Sequence, residues 1–130
     1  TIIDSDFSAA ALTGASFDGA VLDGADFGDA DLSAATLRGT VILAADFGGA
    51  VLKRTDLDGA VVLDPGFLTR LAASTAPETF RPELFKLEPV ELSSLQEIMV
   101  VSNHIAPADL AARAPEGRAY RITRTGGFGP

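Results

Sequence analysis

From Ile2 to Val62 every fifth residue is large and apolar: Ile2, Phe7, Leu12, Phe17, Leu22, Phe27, Leu32, Leu37, Ile42, Phe47, Leu52, Leu57 and Val62. Two places before each centre from Phe7 on stands a small residue, from Ser5 through Ala10, Ala15, Ala20, Ala25, Ala30, Ala35, Thr40, Ala45, Ala50 and Thr55 to Ala60. A helix returns a side chain to the same face about every 3.6 residues and a strand every second residue, so a period of five suits neither. A large centre and its small partner both point inward on one side of a square coil, and Gly or Asp between them turns the corner. Repetition without a slip winds the chain into a solenoid of stacked turns.

Stretches such as Ala25-Asp26-Phe27-Gly28-Asp29, Ala30-Asp31-Leu32-Ser33-Ala34 and Ala45-Asp46-Phe47-Gly48-Gly49 resemble the pentapeptide-repeat proteins. The resemblance covers about residues 2–64 and implies an all-β solenoid, a right-handed quadrilateral parallel β-helix of about three coils. It specifies fold far better than function, since the family includes topoisomerase-directed resistance proteins and effectors. Two regions follow: a β-helix over residues 1–64, and a C-terminal cap and extension over 65–130, mainly short α-helices with a terminal strand and a Gly-rich tail.

Residues 1–64 hold eleven Asp, no Glu and only Arg38, Lys53 and Arg54, whereas residues 65–130 carry seven acids and seven bases. The whole net charge of −8 therefore sits on the solenoid. Such a surface repels nucleic acid and anionic membranes and attracts basic partners. With no cysteine there is neither a disulfide framework nor a thiolate metal site. Neither a signal peptide nor a membrane-spanning run is present, and the expectation is a soluble cytoplasmic protein.

One turn is four five-residue units, so residues twenty apart stack at the spacing of neighbouring strands, about 4.8 Å. Phe7, Phe27 and Phe47 then form an internal column, with Phe67 in phase to cap it. Outside, Asp6, Asp26 and Asp46 form an acidic ladder, and Asp18, Arg38 and Asp58 an alternating one in which the Arg pairs above and below. A straight column does not supply the six to eight converging oxygens of a calcium site. On another face Val21, Val41 and Val61 stack outward beside Leu43 and Leu63, an apolar stripe that calls for a cover. The second half of the chain supplies it by folding back, or the face is a docking site for another protein.

The register ends at Asp64-Pro65-Gly66, where Asp64 caps a helix from Pro65 to about Ala73. Ser74 to Pro89, broken by three prolines, reads as an extended connection. A second helix is expected from about Glu91 to Asn103, because Leu92, Leu95, Ile98, Met99 and Val101 share a side and Ser94 and Glu97 have capping-box spacing. A third runs from Ala108 to Ala114, and Arg118 to Thr125 alternates like a strand.

No catalytic constellation or cofactor motif is found. The single histidine, His104, sits at a helix stop beside Asn103 and Pro107. As a base it lacks a nucleophile and an orienting partner, and Gly19, Gly39 and Gly59 are coil corners rather than a phosphate loop. The chain reads as non-enzymatic. In one function class, a protein-binding scaffold, the β-helix is a recognition handle that presents the C-terminal segment. That layout is similar to precursors of ribosomally made, post-translationally modified peptides, with His104, Tyr120, Thr123, Thr125 and Phe128 as candidate positions for a modifying enzyme. In the other class, which the resemblance suggests, the acidic ladder mimics DNA and binds a type II topoisomerase such as DNA gyrase. Three coils span only about 15 Å against about 34 Å for a turn of B-DNA, so a homodimer would be needed to lengthen the rod. The run Tyr120 to Phe128 also resembles the opening strand of a family of small metalloprotease inhibitors.

Overall fold

The structure, a computed structural model, describes residues 2–76, 79–91, 114 and 118–125. Each five-residue unit folds as its composition requires. In Ala25-Asp26-Phe27-Gly28-Asp29 the small Ala25 and the centre Phe27 are buried. The Asp26 carboxylate accepts the Gly28 N–H at 2.8 Å, an Asx turn of the kind Asp makes two residues on. Phe27 O then accepts the Ala30 N–H at 3.0 Å, while Asp29 at the third turn position has φ of +58°, the requirement of a type II turn. From Ala25 to Ala60 the small partners are buried, apart from the half-buried Ala45, and Thr40 and Thr55 satisfy their buried hydroxyls on the carbonyls of Leu37 and Leu32 at 2.8 and 2.7 Å.

Successive units stack through parallel pairing at a displacement of twenty residues. Strands β1 (Ile2–Ile3), β2 (Val21–Asp26), β3 (Val41–Asp46) and β4 (Val61–Val62) make one line of pairing, with a register shift around Asp23. Three further lines run through Asp6, Asp26 and Asp46, through Ala11, Asp31 and Val51, and through Ser16, Thr36 and Asp56. The result is a β-helix-like stack with its core on the axis. Phe7, Phe27 and Phe47 are stacked at 5.2 Å between successive centroids, and Phe17 meets Phe7 and Phe27 edge-on at 5.7 and 5.4 Å. Phe67 joins the same core from the first turn of α1 (Phe67–Ser74).

That helix starts two residues later than expected, and Asp64 does not cap it. Its carboxylate instead accepts the Gly66 N–H at 2.9 Å and pairs with Arg70. The expectation of a mainly helical extension is also corrected for the described residues. After a single 3₁₀ turn at Pro82–Leu84, Phe85–Val90 forms β5 and Ala119–Arg124 forms β6, the terminal strand that the alternation from Arg118 predicts. The span from Ser74 to Pro89 is therefore not all connection. Pro89 is tolerated because β5 is an edge strand among the described residues, where a missing N–H removes no ladder bond. Among the described residues the sheet order is β1-β2-β3-β4-β6-β5, with β6 antiparallel to both neighbours. The sheet thus crosses from the repeats into the C-terminal region. Beyond Glu91, the expected second helix lies outside the described residues, as does the third up to Ala114.

The C-terminal segments supply the partners that another coil would have offered. Within the stack, Ala9 N–H donates to Gly28 O and Asp29 N–H to Gly48 O; Gly49 N–H, with no further coil to meet, donates to Ser74 O at 2.8 Å. Gly19 N–H and Gly39 N–H likewise donate to Arg38 O and Asp58 O, and Gly59 N–H donates to Ile122 O at 2.7 Å. Backbone groups that would otherwise stay unpaired are thereby satisfied, which a solenoid end requires.

The corner positions carry a measurable strain. Gly19, Gly39 and Gly59 take φ of +75°, +66° and +82° at no steric cost, but Ala9 and Ala34 occupy the equivalent corner at +58° and +60°. A Cβ in this region costs about 1–2 kcal/mol. Ala34→Gly is expected to raise the urea midpoint, by about 1 kcal/mol after the entropy cost of glycine; a lower midpoint would contradict the corner assignment.

Candidate functional site

Asp6, Asp26 and Asp46 stand one above another on parallel-paired backbone, exposed or half-buried. Each carboxylate is held by its own turn, accepting the N–H of Ser8, Gly28 or Gly48 at 2.9, 2.8 and 2.8 Å. The ladder is therefore a set of oriented charges rather than freely rotating ones. Asp31 repeats the device with Ser33 at 3.0 Å and Asp56 with Asp58 at 3.0 Å. Reading these residues only as solvated charge misses their turn role, although the signal is in the sequence: an Asp directly before the centre and two before the turn N–H.

The Ser8 hydroxyl, then its N–H, holds the Asp6 carboxyl below the usual carboxylate value, and Ser33 does the same for Asp31. A carboxyl depressed in the folded state contributes stability that is fully present above its unfolded pKa, about 3.9, and is lost as pH falls through the folded value. A double Asp6→Asn, Asp31→Asn variant keeps the turns, since Asn makes the same Asx bond. Its urea midpoint should approach that of the unaltered protein as pH falls from about 5 to about 2; a constant gap would contradict the assignment.

The ladder of Asp18, Arg38 and Asp58 differs from expectation. The Asp18 carboxylate accepts the backbone N–H of Arg38 at 2.9 Å, and Asp58 that of Arg124 at 2.9 Å. The Arg38 guanidinium reaches Asp56 instead, at 3.5 Å, and Arg124 meets the same carboxylate at 3.4 Å. Each Asp side chain thus engages the residue stacked above it through main chain, which leaves the guanidiniums to converge on Asp56.

The apolar face is not open. Val21, Val41, Val61 and Leu63 are 5, 3, 6 and 6% exposed, and they pack with Ala114, Ala119, the partly buried Leu43 and Val90. The chain's own C-terminal residues therefore contribute to the cover. Beside it, Ile42, Leu43, Val62 and Phe67 line an open groove of about 450 Å³ that ends at the Asp64–Arg70 pair.

Of the positions considered for modification, Tyr120 is 8% exposed and pairs with Val62 and Pro89 in the sheet. Thr123 pairs with Lys86, and Thr125 donates from its N–H to Leu84 O at 2.6 Å and from its hydroxyl to Glu83 O at 3.1 Å. His104 and Phe128 lie outside the described residues. Among the described residues no three His, Cys, Asp or Glu side chains are grouped to hold a metal, and no helix is long and apolar enough to cross a membrane.

Residues 3–40 match the family model of pentapeptide repeats, in eight copies. No curated protein and no solved structure matches the chain. The same register continues to Val62, with Val61 and Val62 paired twenty residues on from Val41 and Ile42. By that match and that stacking, residues 3–40 are built of pentapeptide repeats, and the same five-residue register runs on to Val62.

Proposed function

We propose that this chain is a non-enzymatic protein-binding scaffold, a right-handed, four-sided β-helix of about three coils over residues 1–64 that residues 65–130 close. The observation that carries the reading is the ladder of Asp6, Asp26 and Asp46, each carboxylate oriented by a hydrogen bond from its own turn. Oriented charges on a rigid stack give electrostatic complementarity to a basic protein surface with little ordering cost on binding. In the finer form of the reading, the C-terminal segment is presented to a peptide-modifying enzyme. His104, Thr123, Thr125 and Phe128 are the candidates there, because Tyr120 is buried and would become accessible only if β6 left the sheet, whereas Thr123 is half-buried and Thr125 exposed.

The second reading, a DNA mimic acting on a type II topoisomerase, is supported by the same stacked carboxylates. The short axial span, about 15 Å for three coils, weighs against it.

One triple variant tests these readings. Asp6, Asp26 and Asp46 changed together to Asn preserve the turns and remove three charges. The scaffold reading expects a retained cooperative melt, lowered slightly by the loss of the Asp6 carboxylate, and a partner affinity lowered by tenfold or more, about 1.4 kcal/mol, with the loss smaller at high salt. Unchanged affinity for a partner recovered from the native host would discard it. Co-expression with enzymes encoded beside the gene, followed by intact-mass measurement, tests the presentation form. Gyrase inhibition by the unmodified protein that disappears in the triple variant would favour mimicry.

A further inference from the structure

Asp-Gly occurs three times, at Asp18-Gly19, Asp23-Gly24 and Asp58-Gly59. The dipeptide is open to self-reaction, because glycine has no side chain to hinder its own nitrogen from reaching the preceding carboxyl carbon. The step is internal: the Gly nitrogen bonds to Asp Cγ and loses its proton, a carboxyl oxygen leaves as water, and a five-membered succinimide forms. Water then reopens the ring at either carbonyl. One opening returns aspartate; the other gives isoaspartate, whose main chain runs through Cβ and Cγ and is one carbon longer.

The fold restrains this reaction by holding both reactants. At Asp18-Gly19 the carboxylate accepts Arg38 N–H at 2.9 Å, and Gly19 N–H donates to Arg38 O at 3.0 Å. At Asp58-Gly59 the carboxylate accepts Arg124 N–H at 2.9 Å, and Gly59 N–H donates to Ile122 O at 2.7 Å. The bonds are alike but their suppliers are not. Arg38 belongs to the next coil, so Asp18 is released only if coils separate. Arg124 and Ile122 belong to β6, which meets β4 only at Val61 and Val62 and is paired along its whole length with β5. The ribbon of β5 and β6 can thus lift from the last coil while the coils stay stacked, a local opening that takes less free energy than global unfolding. Asp23-Gly24 lies within β2, between β1 and β3.

We propose that Asp58 is a self-modification site, converted to isoaspartate when β6 is away from the last coil, and that the conversion locks β6 out. Isoaspartate at this position moves Gly59 along by one main-chain carbon, so Gly59 N–H and Ala60 O no longer match the spacing of Ile122 O and Ile122 N–H. The carboxylate that met Arg124 N–H is displaced as well. Undocking of β6 becomes one-way, and Tyr120 and Ile122 lose their place in the core. The inference stands on how the last coil is closed and does not rest on the scaffold reading.

The test is prolonged incubation of the full chain at neutral pH in water enriched in heavy oxygen, which each ring opening incorporates. Peptide mapping with electron-transfer fragmentation reads isoaspartate at the three sites separately, and the chain unfolded in urea supplies the unprotected rates. The folded chain should react far more slowly at Asp18 and Asp58 than the unfolded one. Ile122→Ala, which loosens β6, should speed Asp58 by about tenfold or more and leave Asp18 unchanged. If that variant fails to fold, the unaltered chain in urea below its unfolding transition should react at Asp58 before Asp18. In the isolated chain carrying isoaspartate at position 58, the Ile122 amide should exchange with solvent about tenfold faster or more, while the Phe27 amide stays protected. The proposal is overturned by any of three results: Asp58 reacting in the folded chain as fast as in the unfolded one, loosened β6 that leaves Asp58 unaccelerated or speeds Asp18 equally, or an isoaspartate chain whose Ile122 amide is as protected as before.

Discussion

Phe27→Ala is expected to lower stability by about 3–5 kcal/mol in a urea titration. Phe27 is fully buried and lies between Phe7 and Phe47 at 5.2 Å on both sides, with Phe17 edge-on at 5.4 Å. Truncation removes the transfer free energy of the ring and leaves a cavity that rigid coils above and below cannot close. Three ring contacts, each worth about 0.5–1.5 kcal/mol beyond burial, are lost as well. Such a loss is a large share of the 5–15 kcal/mol that a domain of this size commonly has. Asp29→Asn, at an exposed corner where Asn accepts the positive φ, should cost less than about 1 kcal/mol. Equal losses at the two positions would show that the five-residue register does not set what points inward.

Ile122→Ala is expected to cost about 2–5 kcal/mol although it lies sixty residues beyond the last repeat centre, Val62. Ile122 is fully exposure-free at 0%, and its backbone replaces the missing coil: its carbonyl accepts from Gly59 and its N–H donates to Ala60, both at 2.7 Å. Removing residues 118–130 should go further and leave the edge of β4 and the faces of Val61 and Leu63 uncovered. Self-association in sedimentation and binding of a hydrophobic dye are the expected readouts. Thr123→Ala, on the same strand but half-buried, should cost less than about 1 kcal/mol. A truncated chain that stays monomeric and binds no dye would mean that β6 is an accessory strand rather than the closure of the stack.

The fold of the repeats is legible because every inward position is specified locally. Leu22, Phe27, Leu32 and Leu37 are buried for the same reason and at the same place in their units. The Asx turns at Asp6, Asp26 and Asp46 were legible too, from an Asp two residues before each turn N–H, yet an acidic column invites an electrostatic reading before a conformational one. Strand β5 was hidden by Pro82 and Pro89, which argue against a strand, even though Phe85-Lys86-Leu87-Glu88 alternates. Its position at the sheet edge makes Pro89 harmless, and only the pairing with β6 reveals that it is an edge. The candidate ladders depended on the same distinction: the stacking of Asp18, Arg38 and Asp58 follows from the period, but the choice of Asp56 as the acceptor for both Arg38 and Arg124 does not.

By itself the sequence determined the period, the inward set, the corners and the concentration of negative charge on the repeats, because each depends on residues no more than five apart or on composition. The tertiary structure decided how the last coil is closed. Ser74, Ala76, Ile122 and Arg124 satisfy the last coil from positions remote in the chain, and nothing in their local sequence names Gly49, Ala50, Gly59, Ala60 or Asp58 as partners. It also decided that Val21, Val41 and Val61 are interior while Phe7 and Phe17 stay partly exposed. Periodicity treats every coil alike, whereas burial depends on which remote segments pack against each coil.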